Sequence, residues 1–453
     1  MDSASPINFF KGHPSFRLLP NKEITKATEQ LLLGENRDYD DDPLNRHPLT
    51  YGSNEGALWV RTAITEFVNE KAFKFDRDDK ARSKPEYLNL TSGASYGVLN
   101  ILLQATLPHT GVTKQAFIVS PTYFLINDCF IDAGFGGKLT AIDEKGEESI
   151  DLELLEAKLK HFESIDPNPV NENGKELSII KNPIDISHLK KVYKYVIYVI
   201  PTYSNPSGKT YNLETRCKLI ELARKYDMLI ITDDVYDLLN YSINNDPDKF
   251  ELPTPIKRFV HIDRETNNDE SSYGNTVSNA SFSKIIAPGL RFGYHESINK
   301  LLATQLSAGG ANVSGGTPSQ LTSMIVGTLL TNGDAEKILR NLIQTYCERA
   351  DAMYNAMIKY LPKGTEIRKT EGGYFNWMKL TESYNALEVG KLAQDMYNIV
   401  LADGSNFEVI GDKRNLAQSY FRLSTSFLES EQIVEGIKLL GDVCQVYATQ
   451  NNL

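Results

Sequence analysis

Four cysteines are too few and too scattered to staple a chain of 453 residues. Cys129, Cys217, Cys347 and Cys444 form no CxxC pair, so a disulfide framework and a thiolate zinc site are both excluded. They read as reduced thiols of a cytoplasmic protein. The seven histidines are equally dispersed, with no HExxH and no close pair, and no metal centre is expected. Basic excess is also missing. Lys and Arg total 48 against 59 Asp and Glu, a net charge of −11, and no basic run offers nucleic-acid phosphates a grip. No apolar stretch reaches the ~20 residues that span a bilayer, so no membrane partner is expected. The first residues, from Met1 to Pro6, lack the apolar or Arg-rich pattern of a targeting peptide. No G-x-G-x-x-G follows a strand pattern, which leaves a nicotinamide dehydrogenase unsupported. Gly208-Lys209-Thr210 imitates the end of a P-loop, but Tyr203 stands where its first glycine is required. Ser281 to Lys284 fits S-x-x-K of the serine acylases, but the later K-T-G motif is absent.

What is present is globular in texture: 41% hydrophobic and 24% charged residues. Apolar runs at 116–120, 194–201 and 227–233 are continuous rather than alternating, as strands buried on both faces of a parallel sheet should be. Residues 213–226 between two of them are amphipathic, which makes a βαβ unit. A large α/β domain is expected over 45–300, its mostly parallel sheet flanked by helices. Beyond 300 long helical patterns dominate at 320–330, 335–360 and 386–403, with short strands at 373–379 and 419–425. A smaller α+β domain is expected over 301–453, joined by an N-terminal segment, 1–44. Two stretches rich in Asn, Asp, Glu, Pro and Ser, 167–190 and 244–276, read as surface insertions.

Chemistry-bearing residues gather at the ends of these runs. Lys284, in Ser281-Phe282-Ser283-Lys284, follows a short run at 277–282 and has the setting of an amine nucleophile that forms Schiff bases with aldehydes. A solvated loop lysine is the plain alternative. Ser281, Ser283 and Arg291 are placed to hold an anion nearby. Residues 87–97 read as strand, glycine turn and helix start. Gly93, Ala94 and Ser95 would then present free N–H groups and a hydroxyl to an anion, although such turns also serve as plain caps. Asp233 and Asp234 close a buried strand, where a carboxylate needs a cation, a protonated ring nitrogen or a capping role. Asn205 before Pro206 is held extended, which aims its amide. Tyr123 and Tyr236 bring rings to the same kind of strand end. Arg422 is a cation inside an apolar strand pattern, which calls for an internal acid or a bound carboxylate.

Taken in order, Tyr51-Gly52 with Gly56, Gly93-Ala94-Ser95, Pro121-Thr122-Tyr123, Asn205-Pro206-Ser207-Gly208, Asp233 with Tyr236, Ser281 to Lys284 with Arg291, and Arg422 resemble fold-type I pyridoxal-phosphate aminotransferases. The resemblance runs from about residue 7 to about residue 440. The stretch from Asn8 to Pro14 and the run from Glu371 to Phe375 make it most similar to the 2-aminoadipate and kynurenine branch. It implies an aspartate-aminotransferase-like fold, pyridoxal 5′-phosphate as cofactor, and transfer of an amino group between an amino acid and a 2-oxo acid such as 2-oxoglutarate. It further implies that Lys284 binds the cofactor as a Schiff base and then shuttles the proton. Asp233 would pair with the pyridine nitrogen. Tyr236 and Asn205 would bond the ring oxygen, and Tyr123 would stack on the ring. Gly93, Ala94, Ser95, Ser281, Ser283 and Arg291 would hold the phosphate, with Tyr51 reaching in from the second subunit of a homodimer. Arg422 would fork onto the substrate carboxylate beside Gly12 and Asn205. The glycine-rich stretch 307–316 would lie beside the substrate side chain. A carbon–sulfur lyase with the same cofactor set, or a non-catalytic cofactor-binding protein, would share these residues.

Overall fold

Eight strands form the central sheet of the computed structural model, which describes residues 5–34, 41–165, 179–181, 189–243 and 250–453. They are β1 (Leu88–Thr91), β2 (Gln115–Ser120), β3 (Leu139–Lys145), β4 (Ser149–Ile150), β5 (Tyr195–Val199), β6 (Met228–Asp234), β7 (Thr276–Ser281) and β8 (Gly293–Ser297). Their order is β1-β8-β7-β6-β5-β2-β3-β4. The five strands from β7 to β3 run parallel. β8 is antiparallel to both neighbours, so β1 runs in the direction of β7.

The continuous apolar runs are these inner strands. All seven residues of β6 are buried, and Leu229, Ile230 and Ile231 have no accessible surface. Burying each such side chain stabilises the fold by about 1.5–3 kcal/mol. Alternate residues face opposite layers: Leu229 and Ile231 join one core cluster, Met228 and Ile230 another. The amphipathic segment between β5 and β6 forms the helix labelled α2 (Leu213–Tyr226), and the helix that follows β1 is labelled α1 (Ala94–Ala105). Asn212 caps α2 by accepting from Thr215 N at 2.9 Å, and Asp227 ends it in the left-handed region. Leu219, Ile220 and Ala223 of α2 pack on Met228 and Ile230.

The stretch 244–276 departs from its reading as a surface insertion. Residues 244–249 lie outside the described residues. The rest carries α3 (Phe259–Thr266) into the body of the protein. Asn268 to Ser271 are exposed as expected, but the charged side chains at 258 and 263 are paired internally. Arg258 donates to Asp237 at 2.7 Å, both fully enclosed, and Arg224 donates to the buried Asp263 at 2.6 Å. Polar composition alone does not separate these two situations. The other stretch, 167–190, lies outside the described residues except for an antiparallel strand pair, Ile179–Lys181 with Leu189–Lys191.

A second sheet pairs β9 (Phe375–Lys379) and β10 (Ala402–Asp403) with a central β11 (Tyr420–Ser424). In the long helix α4 (Asp334–Tyr360), Leu339, Leu342, Ile343 and Tyr346 belong to the large core, whereas Met353 and Met357 belong to the second core around β9 and β11. The two cores therefore part within α4, between Ala350 and Met353, because its apolar stripe is long enough to serve both. Ile7–Asn8 pairs in parallel with Ile399–Val400, and Phe9 is buried in the second core. The following helix, Asn21–Leu33, sends Ala27 into the large core. The helical pattern expected over 386–403 stops at Tyr397 in α5 (Ala386–Tyr397). Asn398 takes up the left-handed conformation and turns the chain into the two short strands.

Candidate active site

β1, β2, β5, β6 and β7 deliver their carboxyl ends to one edge of the sheet, the place where open parallel sheets bind ligands. The segments that follow them, with residues from the N-terminal stretch and from β9 and β11, line a cavity of about 450 Å³. Ala94, Ser95, Tyr123, Asn205, Asp233, Tyr236, Ser281, Ser283, Lys284 and Arg291 meet there, and Gly12 and Arg422 close the other side. A larger cleft of about 610 Å³ opens elsewhere between the two cores. Its cations are already paired: Lys209 with Glu144, Arg368 with Glu147, Lys369 with Asp351 and Lys379 with Glu366.

The 450 Å³ cavity has the opposite balance. Lys284 Nζ donates to the carbonyl of Gly12 at 3.0 Å and lies 5.3 Å from the Tyr374 ring centre. Tyr374 OH in turn donates to the backbone oxygen of Lys284 at 3.0 Å. Burial brings the Lys284 amine down to about 8, against the opposing pull of Asp233 and with help from Arg422 and Arg291. Asp233, near the end of β6, is pushed up to about 6 by burial. Tyr198 OH donates to one of its oxygens at 2.6 Å and Asn279 Nδ2 to the other at 3.3 Å. Burial also raises the Tyr123 and Tyr236 phenols, so both remain neutral donors.

Arg422 is 4% exposed. Its guanidinium donates to Asn205 Oδ1 at 3.0 Å and to the carbonyl of Phe10 at 2.7 Å. It lies 4.1 Å from the Phe375 ring centre and 4.8 Å from that of Phe407. Burial lowers it to about 10. Among the described residues no carboxylate lies within 4 Å of it, and its Nε is buried without a partner. A buried arginine held only by neutral acceptors is built to receive an anion.

At the start of α1, Gly93 has φ +91°, and a Cβ there would stand 3.1 Å from Arg291 Nη2. Glycine thus lets the guanidinium approach the helix N-terminus. Arg291, itself in the left-handed region, donates to Pro288 O at 3.2 Å. Ser281 Oγ donates to Ser283 Oγ at 2.9 Å and accepts from Ser283 N at 3.1 Å. A helix N-terminus, a guanidinium and two hydroxyls make a cradle for a phosphate. Together with an orphaned Arg422, a buried amine and a buried carboxylate, the donor set fits pyridoxal phosphate and a carboxylate-bearing substrate.

Tyr51 is not brought to this cavity. It is 76% exposed and lies with Arg46, Val313 and Gly315 in a separate surface recess. The glycine-rich stretch expected beside the substrate forms the short helix Gly310–Gly315 in that recess and does not line the cavity. Gly316 and Gly52 approach too closely for a side chain, which accounts for glycine there. Sequence reasoning missed the apolar lining: Phe10, Phe124, Leu125, Ile200 and Phe375. It also missed Lys11 and His13 at the cavity and Tyr198 and Asn279 behind it. A tyrosine inside a fully apolar run was the available signal for Tyr198, because a buried hydroxyl needs a partner.

The sequence model of the family described as aminotransferase class I and II matches residues 44–440. The chain is 58% identical over 448 residues to an uncharacterized protein of Saccharomyces cerevisiae, covering 99% of this chain and 98% of that one. It is 28% identical over 439 residues to the 2-aminoadipate transaminase of Thermus thermophilus, covering 96% and 89%. Among solved structures it resembles the kynurenine aminotransferase of Pyrococcus horikoshii, with a TM-score of 0.72, 22% identity, and coverage of 98% and 92%. That last likeness is one of fold.

Proposed function

Since the chain belongs to the class I and II aminotransferases, and is a pyridoxal-phosphate-dependent transaminase, we propose that the cavity on the sheet edge moves an amino group between an amino acid and a 2-oxo acid. The observation that carries this reading is Arg422, a buried guanidinium with neutral partners and a spare edge, on the same cavity as Lys284 and Asp233. When bound, pyridoxal phosphate supplies an electron sink for the charge that develops at the substrate Cα. Arg291, Ser281, Ser283, Ser95 and the Ala94 N–H would hold its phosphate. Asp233 would keep a proton on its ring nitrogen, Tyr236 and Asn205 would bond its ring oxygen, and Tyr123 would pack against its ring. Lys284 takes the proton from the substrate Cα and returns it, while Arg422 fixes the α-carboxylate so that this proton faces Nζ.

The rings of Phe10, Phe124 and Phe375 support aromatic or kynurenine-type side chains. Lys11 and His13 support a distal carboxylate, as in 2-aminoadipate or 2-oxoglutarate. The test is a panel of these amino donors with 2-oxoglutarate and pyruvate as acceptors. Transfer to an oxo acid is the expected outcome. Acceptor-independent release of ammonia would make the protein a lyase instead.

Burial brings the Lys284 amine from its ordinary value of 10.5 to about 8. Its neutral, nucleophilic form therefore grows as pH rises through about 8. Capture of pyridoxal phosphate by the cofactor-free protein should accelerate over that range and level off above it. Stopped-flow absorbance checks this, and a rate still climbing steeply above pH 10 would contradict it.

A homodimer with shared sites completes the reading. Tyr51, Tyr96 and Leu103 are exposed, the last two on one face of α1, at the surface where a second copy would bring Tyr51 to the phosphate. Tyr51→Phe should weaken cofactor affinity by about 1.5–3 kcal/mol, one hydrogen bond to a charged group. A fully active monomer in light scattering would contradict the shared site. The four free thiols fit a cytoplasmic location.

A further inference from the structure

Asp233 is held from behind by two side chains that reach no surface. Tyr198 is fully buried on β5, and Asn279 is fully buried on β7. Register explains how they converge. Asn279 is the direct partner of Asp233 across the β7–β6 pair. Tyr198 is the partner of Ile231 across β5–β6, and Asp233 lies two residues further along β6, on the same face. The hydroxyl of Tyr198 donates to Asp233 Oδ2 at 2.6 Å, and Asn279 Nδ2 donates to Oδ1 at 3.3 Å.

The same Asn279 nitrogen donates to the carbonyl of Ala94 at 3.0 Å. Two carbonyl-type acceptors on one side fix which end of the amide is NH₂. This ties the carboxylate to the first residue of α1, the helix whose N-terminus forms the phosphate cradle. Gly97 makes room for the arrangement, because a Cβ there would fall 2.1 Å from Asn279 Oδ1. The neighbouring Asp234 takes its bonds elsewhere, from Thr232 and from Ser278 Oγ at 2.6 Å, both on Oδ2. Tyr198 and Asn279 are therefore not needed for Asp234.

We propose that Tyr198 and Asn279 are positioning residues that keep Asp233 ionised and aimed into the cavity. The inference rests on the reading of Asp233 as the partner of the cofactor ring nitrogen. A buried carboxylate with no donors favours its protonated form, and a protonated Asp233 could not hold a proton on that nitrogen. Donors to the charged form oppose this. The Tyr198 phenol is itself raised by burial, so it stays a donor. The other groups acting on Asp233 are Asp234, Lys284, Tyr123, Tyr236 and Cys129. All of them are untouched by substitution at 198 or 279.

The experiment measures equilibrium binding of pyridoxal 5′-phosphate to cofactor-free wild type, Tyr198→Phe and Asn279→Leu by dialysis between pH 5 and 9, with melting temperatures alongside. In the wild type, affinity should fall on the acid side as Asp233 takes up a proton. In Tyr198→Phe that acid limb should move up by about one to two pH units, the size of one hydrogen bond to a charged group. Asn279→Leu should move it in the same direction by less, because its bond is longer. A limb in Tyr198→Phe that superimposes on the wild type, whatever the melting temperature, overturns the proposal. If Tyr198→Phe does not fold, Asn279→Leu decides in the same way. A wild type that binds no cofactor at any pH removes the functional reading itself. Binding with coincident curves removes only the positioning role.

Discussion

Lys284→Ala is expected to lower turnover by at least about 10⁴-fold, the upper end of what one positioned acid–base group contributes. The loss should come without collapse of the fold. Tyr374 bonds the backbone oxygen of Lys284, not its side chain, so that tie survives the substitution. The side chain itself donates only to the carbonyl of Gly12. Cofactor should still associate, because Arg291, the serines and the start of α1 are unchanged, and adding it should still raise the melting temperature. What disappears is the covalent tether and the proton carrier. Borohydride treatment followed by peptide mapping should therefore fix the cofactor on Lys284 in the wild type and nowhere in Lys284→Ala. A label on any other lysine of the wild type would take Lys284 out of its assigned role. Retention of activity in the alanine variant would do the same for the whole cavity.

The parts of this site legible in the sequence are those where strand pattern and residue type coincide. The three continuous apolar runs are β2, β5 and β6, because strands buried on both faces carry no polar alternation, and the short run at 277–282 overlaps β7. Helix α2 matches its amphipathic pattern from Leu213 to Tyr226, with a capping Asn and a left-handed Asp as boundaries. Lys284, Asp233, Asn205 and Tyr123 were findable because each lies at or just beyond the end of such a run. Arg422 stood out as a cation among apolar neighbours.

What was not legible depends on contacts between distant segments. Nothing near Arg258 or Asp263 in the chain announces that Asp237 and Arg224 will neutralise them, so 250–276 looked like surface. α4 carries one apolar stripe, and only the assembled molecule shows that its two ends serve different cores. The cavity's apolar lining comes from positions 10, 124, 125, 200 and 375, which share no local pattern. Asn279 sits inside a strand as an apparent interruption. Its purpose appears only when β6 places Asp233 opposite it.

Arg422→Lys should separate binding of the substrate carboxylate from every other function of the cavity. Arginine here spends two of its N–H groups on Asn205 and Phe10 and keeps a buried edge for a carboxylate. Lysine offers a single ammonium, which can satisfy the protein's own acceptors or the substrate but cannot present a planar fork to both. Losing one to two charge-assisted bonds predicts a fall of about 10²–10³-fold in kcat/KM. The fall should also appear in kcat, because a loosely held carboxylate lets Cα drift from Lys284 Nζ. The cofactor should bind nearly normally, since of the contacts proposed for its phosphate and ring only Asn205 touches Arg422. The competing view gives Arg422 a purely structural place, stacked between Phe375 and Phe407 and bonded to the N-terminal segment. That view predicts a lower melting temperature with near-normal single-turnover rates in the protein that remains folded. Melting and single-turnover measurements on the one variant decide between them, and unchanged kinetics would remove Arg422 from the substrate site.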